Sequence, residues 1–448
     1  MLSFLKGRLV IVRVVLLAAT LMLAIISVIT IYAVGHPQQP APPAPSDSAS
    51  EAGSGADGER NRTVEGPYSE GQTSGLASIA SFASLWKKQL VFIAMGFAAL
   101  VAINLVSYRR LGRVAYWIYA IVLALLAVLL VDKFIDLPFV SVINGARRWL
   151  RVPIGPASLN IQPSEICKPA YVLALAWYLR YRSNYRSFKA LIGPFALTLA
   201  PMVLILLEPD LGTVLLMMPV LFIMLFVAGA KVRHLAIILL MALAVSPLMW
   251  FKMQPYQRLR ISSVLLQSEW LRQKAERHPM LGRVLVGANF STKRWKNDWG
   301  YHLIRSKYAV ASGGTAGYGF GKGPFVKYNF LPERHNDFIF ATIAQQWGFF
   351  GCITVLALYL IILWCGLEIS IANPDPFARL LATGIVSVFA IQVIVNITMT
   401  LGLMPITGLT LPFLSYGGSS LVVSMACIGL LNNVGRRRPF SVAPRAFE

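Results

Sequence analysis

Leu331-Pro332-Glu333-Arg334-His335-Asn336-Asp337-Phe338-Ile339-Phe340 is the stretch on which the reading of this chain turns. It closes a long basic segment and runs directly into an apolar one, 338–369, long enough to cross a bilayer. Asp337 therefore falls where a membrane helix begins. A carboxylate at that depth costs free energy and marks a functional-site candidate. It can equally be an N-terminal acid that complements the helix macrodipole. Position alone does not separate the two.

Working outward, ten apolar segments recur: 11–34, 89–107, 114–135, 164–180, 190–207, 212–229, 234–250, 338–369, 379–400 and 416–434. The 448 residues are 56% hydrophobic and 13% charged, with a mean hydropathy of +0.63. Soluble domains carry about twice that charge. Lipid offers the backbone no hydrogen-bond partners, so the spans must be helical. The expectation is an all-α polytopic membrane protein of about ten transmembrane helices, with a large extracytoplasmic loop, 251–336, between helices seven and eight. Segment one is too long for a typical signal-peptide apolar core and reads as a span. Residues 1–35 form the first membrane helix, 36–85 a linker, 86–434 the main membrane domain and 435–448 a tail. The linker is rich in Pro, Ser, Gly and Ala, a disordered composition.

Basic residues in short loops set the orientation. Arg8 and Arg13, Arg109 to Arg113, Arg180 to Lys189, Lys231 with Arg233, and Arg436 to Arg438 fall on one side if both termini are cytoplasmic. The net charge of +22, from 41 Lys+Arg against 19 Asp+Glu, points to an anionic lipid or substrate. No nucleic-acid motif accompanies it. Cys167, Cys352, Cys365 and Cys427 lie in apolar segments without CxxC spacing and read as small core residues.

With that topology the unusual polar residues gather at the outer helix ends. Asn144-Gly145-Ala146-Arg147-Arg148-Trp149 precedes segment four. Glu165 and Lys168 open that segment three residues apart, on one helix face. They are either a structural ion pair or part of a charged cavity. Glu208-Pro209-Asp210-Leu211-Gly212-Thr213 joins segments five and six. Asp210 is suited to cap the next helix, and Glu208, Asp210 and Asp337 are the candidate ligands for a divalent cation such as Mg or Mn. The loop 251–336 holds 15 Lys+Arg and 4 Asp+Glu, interleaved with aromatics. Its glycine-rich stretch 311–323 allows close backbone approach to a ligand. Leu411-Pro412-Phe413-Leu414-Ser415-Tyr416-Gly417-Gly418 permits tight packing, or room for a lipid or sugar around Ser415 and Tyr416. No ATP-binding loop occurs.

These motifs, with Gln162 to Lys168, Pro209 to Thr213, Leu331 to Ala341 and Gly408 to Ser420, resemble those of the SEDS family (shape, elongation, division and sporulation proteins, RodA and FtsW), over about residues 90 to 434. The resemblance implies a peptidoglycan glycosyltransferase that polymerises lipid II into a growing glycan strand outside the bacterial cytoplasmic membrane. It implies a class B penicillin-binding protein as partner, with other elongation or division proteins around it. Asp337 matches the family's catalytic aspartate, Glu165 and Lys168 its paired acid and base, and Asp210 a cavity-facing aspartate. Departures are the long linker, about 30 extra residues within 262–300, and Gln345-Gln346 where an acidic pair is common. Leu331 to His335 and Pro405 to Gly408 lean towards RodA, and Ala228 to Lys231 and Gly408 to Phe413 towards FtsW. The implied chemistry is inverting transfer with Asp337 as general base. Arg147, Arg258, Arg260, Lys307 and Arg334 are candidates to bind the pyrophosphate leaving group. The rival readings are a lipid II flippase and a non-catalytic activator of the penicillin-binding protein.

Overall fold

A computed structural model of the chain describes residues 2–36, 84–133, 135–143, 146–154, 157–181, 188–297, 299–327, 330–331 and 333–436. Nearly all of the linker and the tail lie outside the described residues. In chain order the elements are α1 (Leu2–Gly35), α2 (Leu85–Leu105), α3 (Tyr108–Arg113), α4 (Ala115–Val131), β1 (Val140–Ile143), β2 (Ala146–Ile154), β3 (Ala157–Ile161), α5 (Pro163–Leu179), α6 (Ile192–Leu207), α7 (Leu211–Val227) and α8 (Val232–Lys252). Then follow α9 (Pro255–Leu265), α10 (Glu269–Arg277), α11 (Pro279–Val286), α12 (Thr292–Asn297), α13 (Trp299–Ser312), α14 (Pro324–Lys327), α15 (Ile339–Ile371), α16 (Pro376–Thr400) and α17 (Gly418–Arg436).

Every one of the ten apolar segments becomes a helix. Seven have the length and hydropathy of a bilayer crossing. The other three, α4, α5 and α7, have 17 residues each, about 26 Å, slightly short of the apolar thickness. Helix α16 lies at the centre, packed on α15, α7 and α5, while α17 packs on α2 and α1 on α15. Along α16, 83% of the apolar window is buried; along α8 only 6% is, so α8 presents nearly all its surface outward.

Two polar contacts fix one end of the bundle. Arg8 pairs with Glu368 at 2.9 Å, and Arg13 donates to Asn432 at 2.8 Å. The start of α1 therefore lies beside the ends of α15 and α17. At the opposite end Ser27 donates to the Leu414 carbonyl at 2.7 Å, and Arg334 to that of Val34 at 3.2 Å. Asp337 lies at this second end.

Two features add to the all-α expectation. Strands β1, β2 and β3 form an antiparallel sheet in sequential order, with Val140 opposite Leu150 and Leu150 opposite Ile161. The loop 251–336 folds into short helices around its own core of Leu266, Ala275 and Trp295. Arg272 lies over that tryptophan at 4.9 Å, one instance of the interleaved basic and aromatic residues in contact.

The glycine-rich stretch also serves a different purpose from the one expected. It lies against α15 rather than against an open ligand space. Tyr318 and Gly319 donate to the carbonyls of Gln345 and Gln346 at 3.0 and 2.9 Å. A Cβ on Gly313 would stand 2.0 Å from the Ala344 carbonyl oxygen. Glycine is needed there because two backbones touch. Gly348, at φ 61°, breaks the helical path at the same level.

Candidate active site

Three loops and two helix starts meet at the second end. The loop before α15 is tied to the loop before α17 by Ser415, which donates to the Asn336 carbonyl and accepts from Leu411 N–H, both at 2.7 Å. Tyr416 N–H donates to the His335 carbonyl at 2.8 Å, and the two rings lie 5.7 Å apart. Gly408 turns at φ +76°, so close that a methyl there would stand 3.7 Å from Asp337 Oδ2. Beside it, Gly212 at the start of α7 leaves only 2.9 Å between a notional Cβ and the Thr407 carbonyl oxygen. Gln162, the residue before α5, donates its N–H to Ser419 Oγ at 3.1 Å. Glu333 and Phe413 adopt left-handed backbone at φ 51° and 67°, strain that neighbouring contacts must hold in place.

Asp337 is half-buried where these loops meet. Burial first, and then the charge of Glu333, push its carboxyl up to about 7; Arg260 opposes this and Asp210 adds to it. A carboxylate tuned close to neutral pH is suited to general-base work. The influence of Arg260 and Asp210 on this one group places both in its electrostatic neighbourhood.

Asp210 is the cap that its spacing predicted. It accepts from Thr213 N–H at 3.3 Å, Thr213 Oγ1 at 3.0 Å and Ser164 Oγ at 3.0 Å, with Gln162 Nε2 at 3.5 Å. It thereby joins the starts of α5 and α7. Glu165 and Lys168 lie deeper in α5, both buried and paired at 2.7 Å. Glu208, beside Asp210, has its carboxyl pushed up to about 8 by burial first and by the Asp210 charge next. Its Oε1 is buried without a hydrogen-bond partner among the described residues.

The candidate cations do not all converge. Arg147 is committed to Asp132 at 3.0 Å and Asp136 at 2.6 Å. Its neighbour Arg148 holds the Glu208 carbonyl at 2.7 Å and the Pro209 carbonyl at 2.5 Å, which seats the sheet on the α6–α7 turn. Arg258 caps the end of α8 through the carbonyls of Met253 and Phe251. Lys307 donates to Gln267 at 2.9 Å. Arg334 is buried, bonded to the carbonyls of Val326, Phe325 and Val34, and burial lowers it to about 10. Arg260 is the candidate whose charge reaches Asp337.

Among the described residues no three His, Cys, Asp or Glu side chains gather as metal ligands. Both oxygens of Asp210 are taken by the α7 cap and its neighbours. Among the described residues Glu208, Asp210 and Asp337 are not brought together as a group of three.

This arrangement of loops and helices has relatives. The model for the FtsW/RodA/SpoVE cell cycle proteins matches residues 72–439. The chain belongs to that family. Stage V sporulation protein E of Bacillus subtilis (strain 168) is 34% identical over 380 residues, 81% of this chain and 93% of that protein. Peptidoglycan glycosyltransferase RodA of Treponema pallidum (strain Nichols) is 30% identical over 401 residues, 78% and 89% of the two chains. Peptidoglycan glycosyltransferase MrdB of Escherichia coli (strain K12) is 33% identical over 355 residues, 79% and 86%. Among solved structures, a chain of a peptidoglycan synthase complex coordinating polymerization and crosslinking superposes with a TM-score of 0.62 at 32% identity, covering 80% of this chain and 91% of that one. Thermus thermophilus rod shape determining protein RodA gives 0.53 at 30% identity, covering 79% and 88%.

This FtsW/RodA/SpoVE member relies on two buried amides that its sequence did not single out. Asn396 is fully buried near the end of α16, and its amide donates to the carbonyls of Asp337 at 3.0 Å and Leu409 at 2.7 Å. It fixes the backbone that carries Asp337. The available signal was an amide inside the apolar segment 379–400, since polar groups there are rare unless used. Gln89 is a second case, donating to Ser27 at 3.0 Å and to the Ser415 carbonyl at 3.4 Å.

Proposed function

We propose that this family member is a peptidoglycan glycosyltransferase in which Asp337 is the general base. The substrates are two polyprenyl-pyrophosphate-linked saccharides of the lipid II type, or one such unit and a growing glycan strand. An acceptor sugar hydroxyl gives its proton to the Asp337 carboxylate. Its oxygen then bonds to the donor's anomeric carbon from the face opposite the leaving group. The bond between that carbon and the pyrophosphate oxygen breaks, and the electron pair leaves with the polyprenyl pyrophosphate. The anomeric centre is inverted, by the logic of a base carboxylate in inverting glycosidases with an alcohol in place of water. Arg260 stabilises the negative charge that develops on the pyrophosphate.

The observation that carries this reading is the carboxyl of Asp337, raised to about 7 at a membrane helix start where the loop motifs meet. Relatives named peptidoglycan glycosyltransferase support the reaction class. The likeness to a peptidoglycan synthase complex chain supports a class B penicillin-binding protein as partner. Arg8, Arg13, Arg109 and Arg436 lie at the end opposite Asp337. By the positive-inside rule that end faces the cytoplasm, so both termini are cytoplasmic and Asp337 faces outward. The donor's own bond from anomeric carbon to pyrophosphate supplies the free energy.

The test is lipid II polymerisation by the full chain with its class B partner. Asp337→Asn should lower the rate about 100- to 10,000-fold, the usual contribution of a general base. Polymerisation at the wild-type rate would remove Asp337 from the mechanism.

A further inference from the structure

A cavity of about 860 Å³ lies at the end of the bundle opposite Asp337. Its wall includes Arg109, Arg110, Arg113, Arg180, Trp177 and Asp375. It is built where α3 crosses between α2 and α4 and meets the end of α5 and the start of α16. Gly112 makes this closure possible. A Cβ there would stand 2.5 Å from the Trp177 ring and 2.8 Å from Phe377.

The charge balance of the cavity is one-sided. Its single acid, Asp375, is already committed: it caps α16 by accepting from Phe377 N–H at 3.1 Å, accepts from Tyr108 OH at 3.0 Å and pairs with Arg109 at 3.6 Å. Arg110 and Arg113 are exposed and form no ion pair among the described residues. The guanidinium carbon of Arg180 lies over Trp177, 2.9 Å from the ring centre, and 4.7 Å from that of Tyr181. Contact with both rings holds the guanidinium at the cavity wall, and a guanidinium can bind a phosphate in a bidentate manner. The cavity therefore sets the guanidinium groups of Arg110, Arg113 and Arg180 against one carboxylate, Asp375, which Arg109 and Tyr108 already share.

Its depth in the bilayer narrows the ligand. Helices α2 and α5 end here and α4 and α16 begin here, so the cavity lies at the boundary between hydrocarbon and water. Trp117 and Tyr181 are 73% and 77% exposed beside it, as aromatics at the headgroup layer are. A lipid can enter sideways with its phosphate at the arginines and its acyl chains along the exposed apolar helices. A soluble anion would gain nothing from that surface.

We propose that this cavity is a binding site for the phosphate headgroup of an anionic phospholipid of the surrounding leaflet. Basic pockets between membrane helices are suited to such headgroups. The site stands apart from Asp337 and does not depend on the glycosyltransferase reading.

The experiment uses the full chain, delipidated in detergent and titrated with phosphatidylglycerol, with bound lipid counted by native mass spectrometry. Phosphatidylcholine with the same acyl chains is the reference, and millimolar inorganic phosphate is the competitor. The first phosphatidylglycerol should bind about tenfold or more tightly than phosphatidylcholine. That preference should be lost in Arg110→Gln/Arg113→Gln/Arg180→Gln and kept in Lys231→Gln/Arg233→Gln, which removes the same kind of charge from the α8 start. Arg110→Gln/Arg113→Gln alters only exposed side chains, so its weakened binding decides the matter if loss of the Arg180 stack unfolds the triple variant. Equal uptake of the two lipids, wild-type phosphatidylglycerol binding by the double variant, or full displacement by inorganic phosphate would each overturn the proposal.

Discussion

The two ends of this bundle hold ionisable groups in opposite ways. At the Asp337 end they are individually held, most of them buried: Asp210 in a helix cap, Glu165 on Lys168, Arg334 on three carbonyls, and Asp337 itself half-buried under two loops. At the other end Arg110 and Arg113 stand in the open beside a wide cavity. Charge density alone would send attention to the second end or to the basic loop, where the excess of +22 is most visible. The perturbed carboxyls, Asp337 and Glu208, are at the first. Desolvation, which shifts a group's proton affinity, separates a site able to do acid–base chemistry from a surface able only to attract.

The contrast can be broken or sharpened by substitution, and the largest effect belongs to Asp337. Besides losing activity, Asp337→Asn should fold more stably. The folded carboxyl titrates at about 7, above the ordinary aspartate value, so its penalty is absent in acid, grows as pH rises from about 4 to 7, and is fully present above 7. Thermal unfolding in detergent at about pH 8 should show a gain of roughly 1–2 kcal/mol for the Asn variant, discounted for partial solvation, that vanishes near pH 4. A loss of stability at pH 8 would mean that the charge is matched.

The next largest effect falls on stability. Lys168→Met leaves Glu165 buried and unmatched, which should cost about 3–5 kcal/mol. Adding Glu165→Gln should return part of it, in the same unfolding assay. If the single variant loses less than the double, the pair is not held as dry as the geometry indicates. Asn396→Ala deprives two buried carbonyls of their donor and should cost about 1–3 kcal/mol. Polymerisation should fall with it, in kcat more than in KM, because the Asp337 backbone is released rather than a substrate contact. The smallest effect is expected at Glu208. Its carboxyl, at about 8, is mostly protonated at neutral pH, so the isosteric Glu208→Gln should leave polymerisation near the wild-type rate. A large loss would assign the ionised form a role.

Much of the site was legible because bilayer physics is strict. Ten apolar runs gave ten helices, and the alternation of their ends brought the motifs of α5, α7, α15 and α17 to one end. Asp210 was readable as a cap from its position three residues before Thr213. Three things were not. The sheet over 140–161 is built of strands as short as four residues, too brief to show clear alternation beside the membrane runs. The use of Gly313 and Gly317 against α15 depends on a backbone 30 residues away, for which a glycine count carries no address. The fates of Arg147, Arg258 and Arg334 were hidden because a guanidinium bonded to carbonyls or nearby acids looks in sequence like one facing substrate. Asn396 lay in plain view as an amide in an apolar run.

The most direct measurement of the central claim is the pH dependence of kcat/KM for lipid II polymerisation by the full chain with its class B partner. The account predicts a rate that climbs tenfold per pH unit in acid and levels off above about 7, as the Asp337 carboxyl loses its proton, with Asp337→Asn flat and far below it at every pH. A wild-type profile that is level from pH 5 to 9, or an Asn variant that follows the wild-type curve, would contradict it.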